Sequence, residues 1–401
     1  MSNTRTKWML WISLVLIMHS ARWSQAAPQQ TDLERPLVAW AGLSLSGSSN
    51  KLDILYPRVV KYQVRANQLL YSRLKGVRPE YYQLVTDDKV DLRKGNSLAM
   101  TLMVDSENVV VRQLAGLHQA VVEISASVLV YDVASDEKAV VASFPVGLGP
   151  YVETYEHSAP TPQQLDRLVE GYLFGGLSNL EAGLIETAIS NMQSADIKYR
   201  YAAKIGIGSV AIAEEAAAVM APNFGSDRNV MEAYIARQTA RLLSTSQKVS
   251  VIPYRADSAV AQMVLRFTGK KTTVLLGLPE PDYQLSVNVE RFARKLTQEN
   301  KHEQLFVYAA RATIGIEDDF GDQVYQESMK NYVHKKILRS QPNINEWVVY
   351  RGALENLTLT FFQQLAAPQA DWFNLQGFEG DKRKQVQSDL LAAAEVLEQC
   401  R

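Results

Sequence analysis

The alternation of side chains between Leu305 and Ile316 constrains this chain more than any other stretch. Leu305-Phe306-Val307-Tyr308-Ala309-Ala310-Arg311-Ala312-Thr313-Ile314-Gly315-Ile316 has the period of two and the aromatic and β-branched content of a strand. An acidic turn, Asp318-Asp319-Phe320-Gly321-Asp322, follows it. A second strand at 323–328 then leads through a loop to an amphipathic helix over about 344–365. The same order occurs earlier. A strand at 121–130 meets a polar turn at 134–138 and a strand at 139–144. A proline-marked loop and a helix over about 162–180 complete it. One strand–turn–strand–helix unit is used twice.

The rest of the chain falls around these two units. Strand 37–45 precedes a helix that Pro57 opens and Gly76 stops, its amphipathic pattern running Val59, Val60, Tyr62, Gln63, Val64, Ala66, Leu69, Leu70 and Leu74. A short strand at 81–85 follows, and Leu98, Met100, Leu102 and Val104 alternate as a strand, with a helix as the alternative. Leu184, Ile185, Ala188, Ile189 and Met192 mark a helical connector over 181–203. Beyond it come a strand at 205–212, a helix carrying Met231, Tyr234, Ile235 and Leu242 that Asp227 caps, and a strand at 249–254. A short helix at 258–267 and strands at 272–277 and 283–296 lead into the second unit. Residues 371–378 read as an apolar turn, and 380–399 as a last helix.

The fold class is therefore α/β (α+β), with two tandem mixed-sheet domains. Each runs strand, helix, strand, an optional helix, strands and helix. The expected boundaries are 1–26 for a signal peptide, 27–180 for the first domain and 181–203 for the connector. The second domain takes 204–367 and a C-terminal extension 368–401. The length of 401 residues accommodates two such domains.

Arg5 and Lys7 precede the apolar run 8–18, and Ser24-Gln25-Ala26 places small residues at a cleavage site. This is a secretory signal, cut after Ala26, and a retained anchor is the alternative. The run is shorter than the ~20 residues that a spanning helix needs. The mature chain is expected in the periplasm, with no transmembrane segment. A net charge of −1 gives no reason to expect nucleic acid as a partner, although a local basic patch is compatible with it. Cys400 is the one cysteine and has no partner within the chain. It reads as a free thiol on a frayed terminus, or as the half of an intermolecular disulfide.

Chemistry is sparse. His118, His157, His302 and His334 stand beside no nucleophile motif. Metal-ligand spacing is missing, except that Asp318, Asp319 and Asp322 could gather around calcium. Asp-Phe-Gly-Asp between two strands is what a hairpin needs, and the turn is the preferred reading. Gly206-Ile207-Gly208-Ser209 is half of a dinucleotide fingerprint and lies inside a strand. Asn356-Leu357-Thr358 matches a glycosylation acceptor but falls in a helix. No catalytic residue, cofactor or metal site is assigned. Trp372, Phe373, Phe378, Phe361 and Phe362 either fill a core or form a partner surface, since aromatic residues are enriched at interfaces.

In the second half, Val249-Ser250-Val251-Ile252-Pro253-Tyr254, the 258–267 segment, the strand at 283–294, Arg311 to Asp318 and Gly321-Asp322-Gln323-Val324-Tyr325 resemble a group of bacterial periplasmic α/β domains. The group includes the CsgG secretion-channel domain, the N-terminal domain of TolB, the middle domain of FlgT, and LpoB. The resemblance covers 204–365 and more loosely 36–180. It implies a non-catalytic scaffold or assembly role in an envelope, secretion or appendage complex, with other envelope proteins or a second copy as partners. No lipobox, pore hairpin or propeller repeat accompanies it. The alternatives are a periplasmic hydrolase acting on envelope polymers, and a small-ligand or calcium-binding module.

Overall fold

The computed structural model describes residues 35–47, 51–86, 98–114, 117–133, 139–197, 202–254, 261–267, 270–340 and 344–401. The signal segment, the turn at 134–138 and the start of the 258–267 segment lie outside the described residues. Both sequence units are present within one compact body, 36–401.

In the first half, β1 (Leu37–Ser46) is followed by a single turn α1 (Leu52–Leu55) and by α2 (Val59–Leu74). Strands β2 (Gln83–Val85), β3 (Leu98–Leu114), β4 (Leu117–Asp132), β5 (Val140–Gly147) and β6 (Tyr151–Tyr155) come next. Helices α3 (Pro162–Phe174) and α4 (Leu184–Ser194) close this half. The second half runs β7 (Ile205–Ile212), α5 (Glu214–Phe224), α6 (Arg228–Gln247), β8 (Val251–Ile252), β9 (Ala261–Phe267) and β10 (Lys270–Leu276). Then come β11 (Tyr283–Glu299), β12 (Glu303–Asp318), β13 (Gln323–Leu338), α7 (Glu346–Ala366), α8 (Ala370–Gln376) and α9 (Gly380–Gln399).

Two mixed sheets result, and they share one plan. The first contains the path β2-β1-β3-β4-β5, with β1 parallel to β2 and β3, and β3, β4 and β5 antiparallel. The second runs β8-β7-β11-β12-β13 with the same senses. The repeat read from the sequence is thus a repeat of strand order as well.

The hairpin β9–β10 breaks the symmetry. It lies in the second half of the sequence but pairs antiparallel with β1, so that Ser44 faces Leu265 and Ser46 faces Met263. The short helix expected at 258–267 is a strand over 261–267. Alanine, glutamine, methionine and leucine there suit a helix. Pairing in register with all seven residues of β10, and then with β1, outweighs that preference.

Helix ends follow the local chemistry. Thr161 accepts from the Gln164 amide at 3.3 Å while the Gln164 side chain accepts from the Thr161 amide at 2.8 Å, a capping box with Pro162 at the first turn. Asp227 caps α6 by accepting from the Asn229 amide at 2.9 Å. The stretch read as a connector holds α4, whose Leu184, Ile185, Ala188 and Met192 enter the first core. A Cβ on Gly183 would lie 2.4 Å from the Gly175 amide nitrogen, so a glycine permits this close return of the chain.

Several strands run further than alternation alone suggests. β3 extends to Leu114 and β13 to Leu338, β6 occupies a stretch read as loop, and α5 fills a stretch to which no element was assigned. The second core gathers β7, β11, β12, α6 and α7 around side chains such as Tyr308, Tyr325, Phe361 and Phe362, all under 2 % exposed. Each such side chain contributes roughly 1.5–3 kcal/mol by leaving water.

Candidate functional site

Asp318 closes the β12–β13 hairpin. Its Oδ1 accepts from the amides of Phe320 at 3.0 Å and Asp322 at 2.8 Å, and Gly321 takes a φ of 84° that suits glycine. Asp319 and Asp322 are exposed on the turn. No group of three metal-ligating side chains occurs among the described residues. The carboxylate with the best position is engaged in holding backbone.

Trp372, Phe373 and Phe378 pack edge to face at 5.1 and 5.7 Å between ring centres, and all three are buried. Phe361 and Phe362 are fully buried beside Tyr325. As placed, these five build the second core and present no surface to a partner. Exposed hydrophobic side chains lie elsewhere, at Phe320, Tyr332 and Leu338 among others.

The histidines are dispersed. His118 pairs across to Tyr155 on the first sheet. His157 is exposed beyond β6, His302 sits in the β11–β12 turn, and His334 lies on β13. Cys400 is not frayed. It caps α9 and is buried, and burial pushes its thiol up to about 12. The residue after it is anchored too, since Arg401 Nε donates to the Gln247 carbonyl at 3.0 Å.

Two features were not read from the sequence. The first is a polar junction where β3 and β4 meet α6 and α7. Glu123 accepts from Gln238 Nε2 at 2.6 Å, and Gln238 accepts in turn from Arg241 Nη2 at 2.8 Å. Arg241 and Arg351 approach Glu355 at 3.6 and 3.8 Å. Asp105 accepts from Ser127 Oγ at 2.7 Å. Burial pushes the Glu123 carboxyl up to about 7 and that of Asp105 up to about 6, against the pull of nearby arginines. A recess of about 430 Å³ beside Arg237, Tyr234 and Glu123 borders this junction. The sequence signal was present: Glu123 interrupts the apolar run Ala120-Val121-Val122-Glu123-Ile124.

The second feature is the distal half of β11–β12–β13. Paired residues of neighbouring strands share a face. Phe292, Phe306, Tyr308, Met329 and Ile337 form the covered face, and Trp347 and Tyr350 of α7 pack on the Phe292 and Tyr308 rings. The other face carries the rows Arg291–Arg311–Lys330, Ala293–Ala309–Tyr332 and Lys295–Val307–His334, then Leu305–Lys336 and Glu303–Leu338. All of these on β11 and β13 are exposed.

β13 is also an edge. The Gln376 side chain both donates to the Lys330 carbonyl at 3.0 Å and accepts from its amide at 2.9 Å. Lys330 therefore turns its backbone groups away from β12. By alternation Tyr332, His334 and Lys336 do the same. Asn331 Oδ1 accepts from the Tyr332 amide at 2.8 Å. The edge is thus plugged at 330–332 and, among the described residues, open at 334–338.

No family model matches the chain, and no curated protein matches its sequence. Among solved structures it is similar to a minor lipoprotein from Acinetobacter baumannii, at 11% identity over 41% of this chain and 91% of that one, with a TM-score of 0.21. It is also similar to a neuraminyllactose-binding hemagglutinin homolog from Helicobacter pylori, at 9% identity over 40% of this chain and 84% of that one, with a TM-score of 0.23. Both likenesses cover about two fifths of this chain, at a similarity too low to bear on its function.

Proposed function

We propose that this chain is an exported, non-catalytic protein of the cell envelope. It serves as a scaffold or assembly factor that grips other envelope proteins, or a second copy of itself, through the open edge of β13. Export rests on the signal-like segment 1–26, and the periplasm is the compartment it addresses. No helix among the described residues is long and apolar enough to cross a membrane.

The observation that carries the reading is the edge itself. An edge strand of 16 residues is a ready template for an added strand. The plug at Lys330 and the lysines at 335 and 336 limit which strands can add, which favours a particular partner over general aggregation.

The test is a photo-crosslinking residue at Leu338, in cells that make the protein, with and without His334→Pro. His334 points its amide outward, so proline there costs no bond to β12 but blocks an added strand. Discrete protein adducts that vanish with His334→Pro are the expected result. Adducts unaffected by the proline, or none at all, refute the edge as the contact.

A further inference from the structure

We propose that the uncovered face of β11–β13 lies on an anionic lipid bilayer. Residues 291–311 and 330–340 hold nine lysines and arginines against two glutamates. That formal +7 stands in a chain whose net charge is −1, so the remainder is acidic and the charge is strongly polarised. The face collects Arg291, Lys295, Arg311, Lys330 and Lys336 in rows across three strands.

The acids nearby neutralise only part of it. Glu303 pairs with Lys336 at 3.2 Å, Glu290 with Arg311 at 2.9 Å, and Glu215 with Arg291 at 3.6 Å. Glu299 pairs with Arg339. Lys295 and Lys330 have no carboxylate within ion-pair distance among the described residues, and both are exposed. Lys301, in the β11–β12 turn, is also exposed and without such a pair among them.

The apolar residues between the cations select the kind of anionic surface. Leu305, Val307 and Ala309 run down the middle strand, and Tyr332 and Leu338 stand 45% and 49% exposed beside them. A nucleic acid offers phosphates but no apolar phase for Leu338. A bilayer interface offers both: headgroup phosphates for the lysines, and an apolar boundary where tyrosine and leucine settle. Lysine stems can lie along such a boundary with the ammonium in the headgroups. The face spans three strands and about nine residues, on the order of 15 by 30 Å, and the covering helix lies on its other side.

This surface is distinct from the β13 edge, so the two readings can be separated. The experiment is co-sedimentation of the purified full chain with phosphatidylcholine vesicles, with and without phosphatidylglycerol, at low and high salt. Binding that needs phosphatidylglycerol and is lost at high salt is expected. Combined Lys295→Glu, Lys330→Glu and Lys336→Glu should weaken it by more than about two orders of magnitude, since losing three cations costs about fivefold each and the added carboxylates repel the surface. Tyr332→Ser with Leu338→Ser should weaken it further at fixed charge. His334→Pro should leave it in place whatever becomes of the protein contact. Circular dichroism checks the fold, and Lys→Gln at the same three positions replaces the charge reversal if that variant does not fold. Equal sedimentation with and without phosphatidylglycerol overturns the proposal, and so does unchanged binding of the charge variants. Release by DNA as readily as by salt, with no effect of the Tyr332 and Leu338 changes, assigns the face to an acidic polymer and overturns it too.

Discussion

Glu123→Gln should make the protein less sensitive to pH, and the size of the effect follows from the junction. Glu123 is 6% exposed, and its carboxyl is pushed from 4.5 up to about 7 by burial. The folded state therefore holds a proton that the unfolded chain releases between these values. Stability is fully present below about 4.5 and is lost as pH rises towards 7. Each pH unit is worth about 1.4 kcal/mol, so the full interval amounts to roughly 3 kcal/mol. Glutamine keeps an oxygen to accept from Gln238 and does not ionise. Urea unfolding of both proteins at pH 4.5, 6 and 8 measures the difference. The variant should gain on the native protein by about 3 kcal/mol between the lowest and highest pH. Asp105 titrates in both proteins, pushed up to about 6 by burial, and cancels in the comparison. A constant offset between the two proteins at every pH would refute the assignment of a protonated Glu123 to the folded state.

Two further outcomes test the acidic turn and the terminus. Asp318→Ala removes the acceptor for two amides and should cost about 1 kcal/mol in urea unfolding, while millimolar calcium should leave the melting temperature of the native chain unchanged. A calcium-dependent rise would restore the turn as a metal site. The Cys400 thiol, buried and pushed up to about 12, should react with a thiol reagent only when the chain unfolds. Rapid modification of the native protein, or a disulfide-linked dimer in its folded state, would contradict the packing of α9.

The repeated unit was legible because alternation and helical spacing leave marks over many residues. The run Leu305 to Ile316 needed nothing beyond its own period. What the sequence hid depended on pairing. Ala261 to Phe267 has no strong preference of its own, and β1 and β10 decide its state. The distal part of β13, Lys330 to Leu338, looks like a polar loop because one face of it meets no covering helix. The aromatic residues 372, 373 and 378 were legible as core or as partner surface, and the return of α8 onto the second core is what places them inward. Glu123 was visible as an interruption, but its partners Gln238 and Arg351 lie more than a hundred residues away.

One strand order with two different coverings accounts for how the halves diverge. In the first half the long strands β3 and β4 run under α5 and α6. Arg112 reaches Asn223 there, and Glu123 reaches Gln238. The outer edge of that half is closed as well. Ser250 Oγ accepts from the outward Ser143 amide at 2.8 Å, and Pro145, two residues on, has no amide to offer. In the second half the equivalent long strands β11 and β12 have α7 on one face and, among the described residues, no covering helix on the distal part of the other, and β13 ends with an edge open among them. The first copy has thus used its long hairpin to join the halves, and the second has kept its hairpin free. Charge follows this division. The joined hairpin carries buried carboxylates that arginines balance, and the free one carries lysines such as Lys295 and Lys330 with no carboxylate partner among the described residues. Substitutions on the free face should therefore change binding without changing stability, and substitutions in the junction should do the reverse.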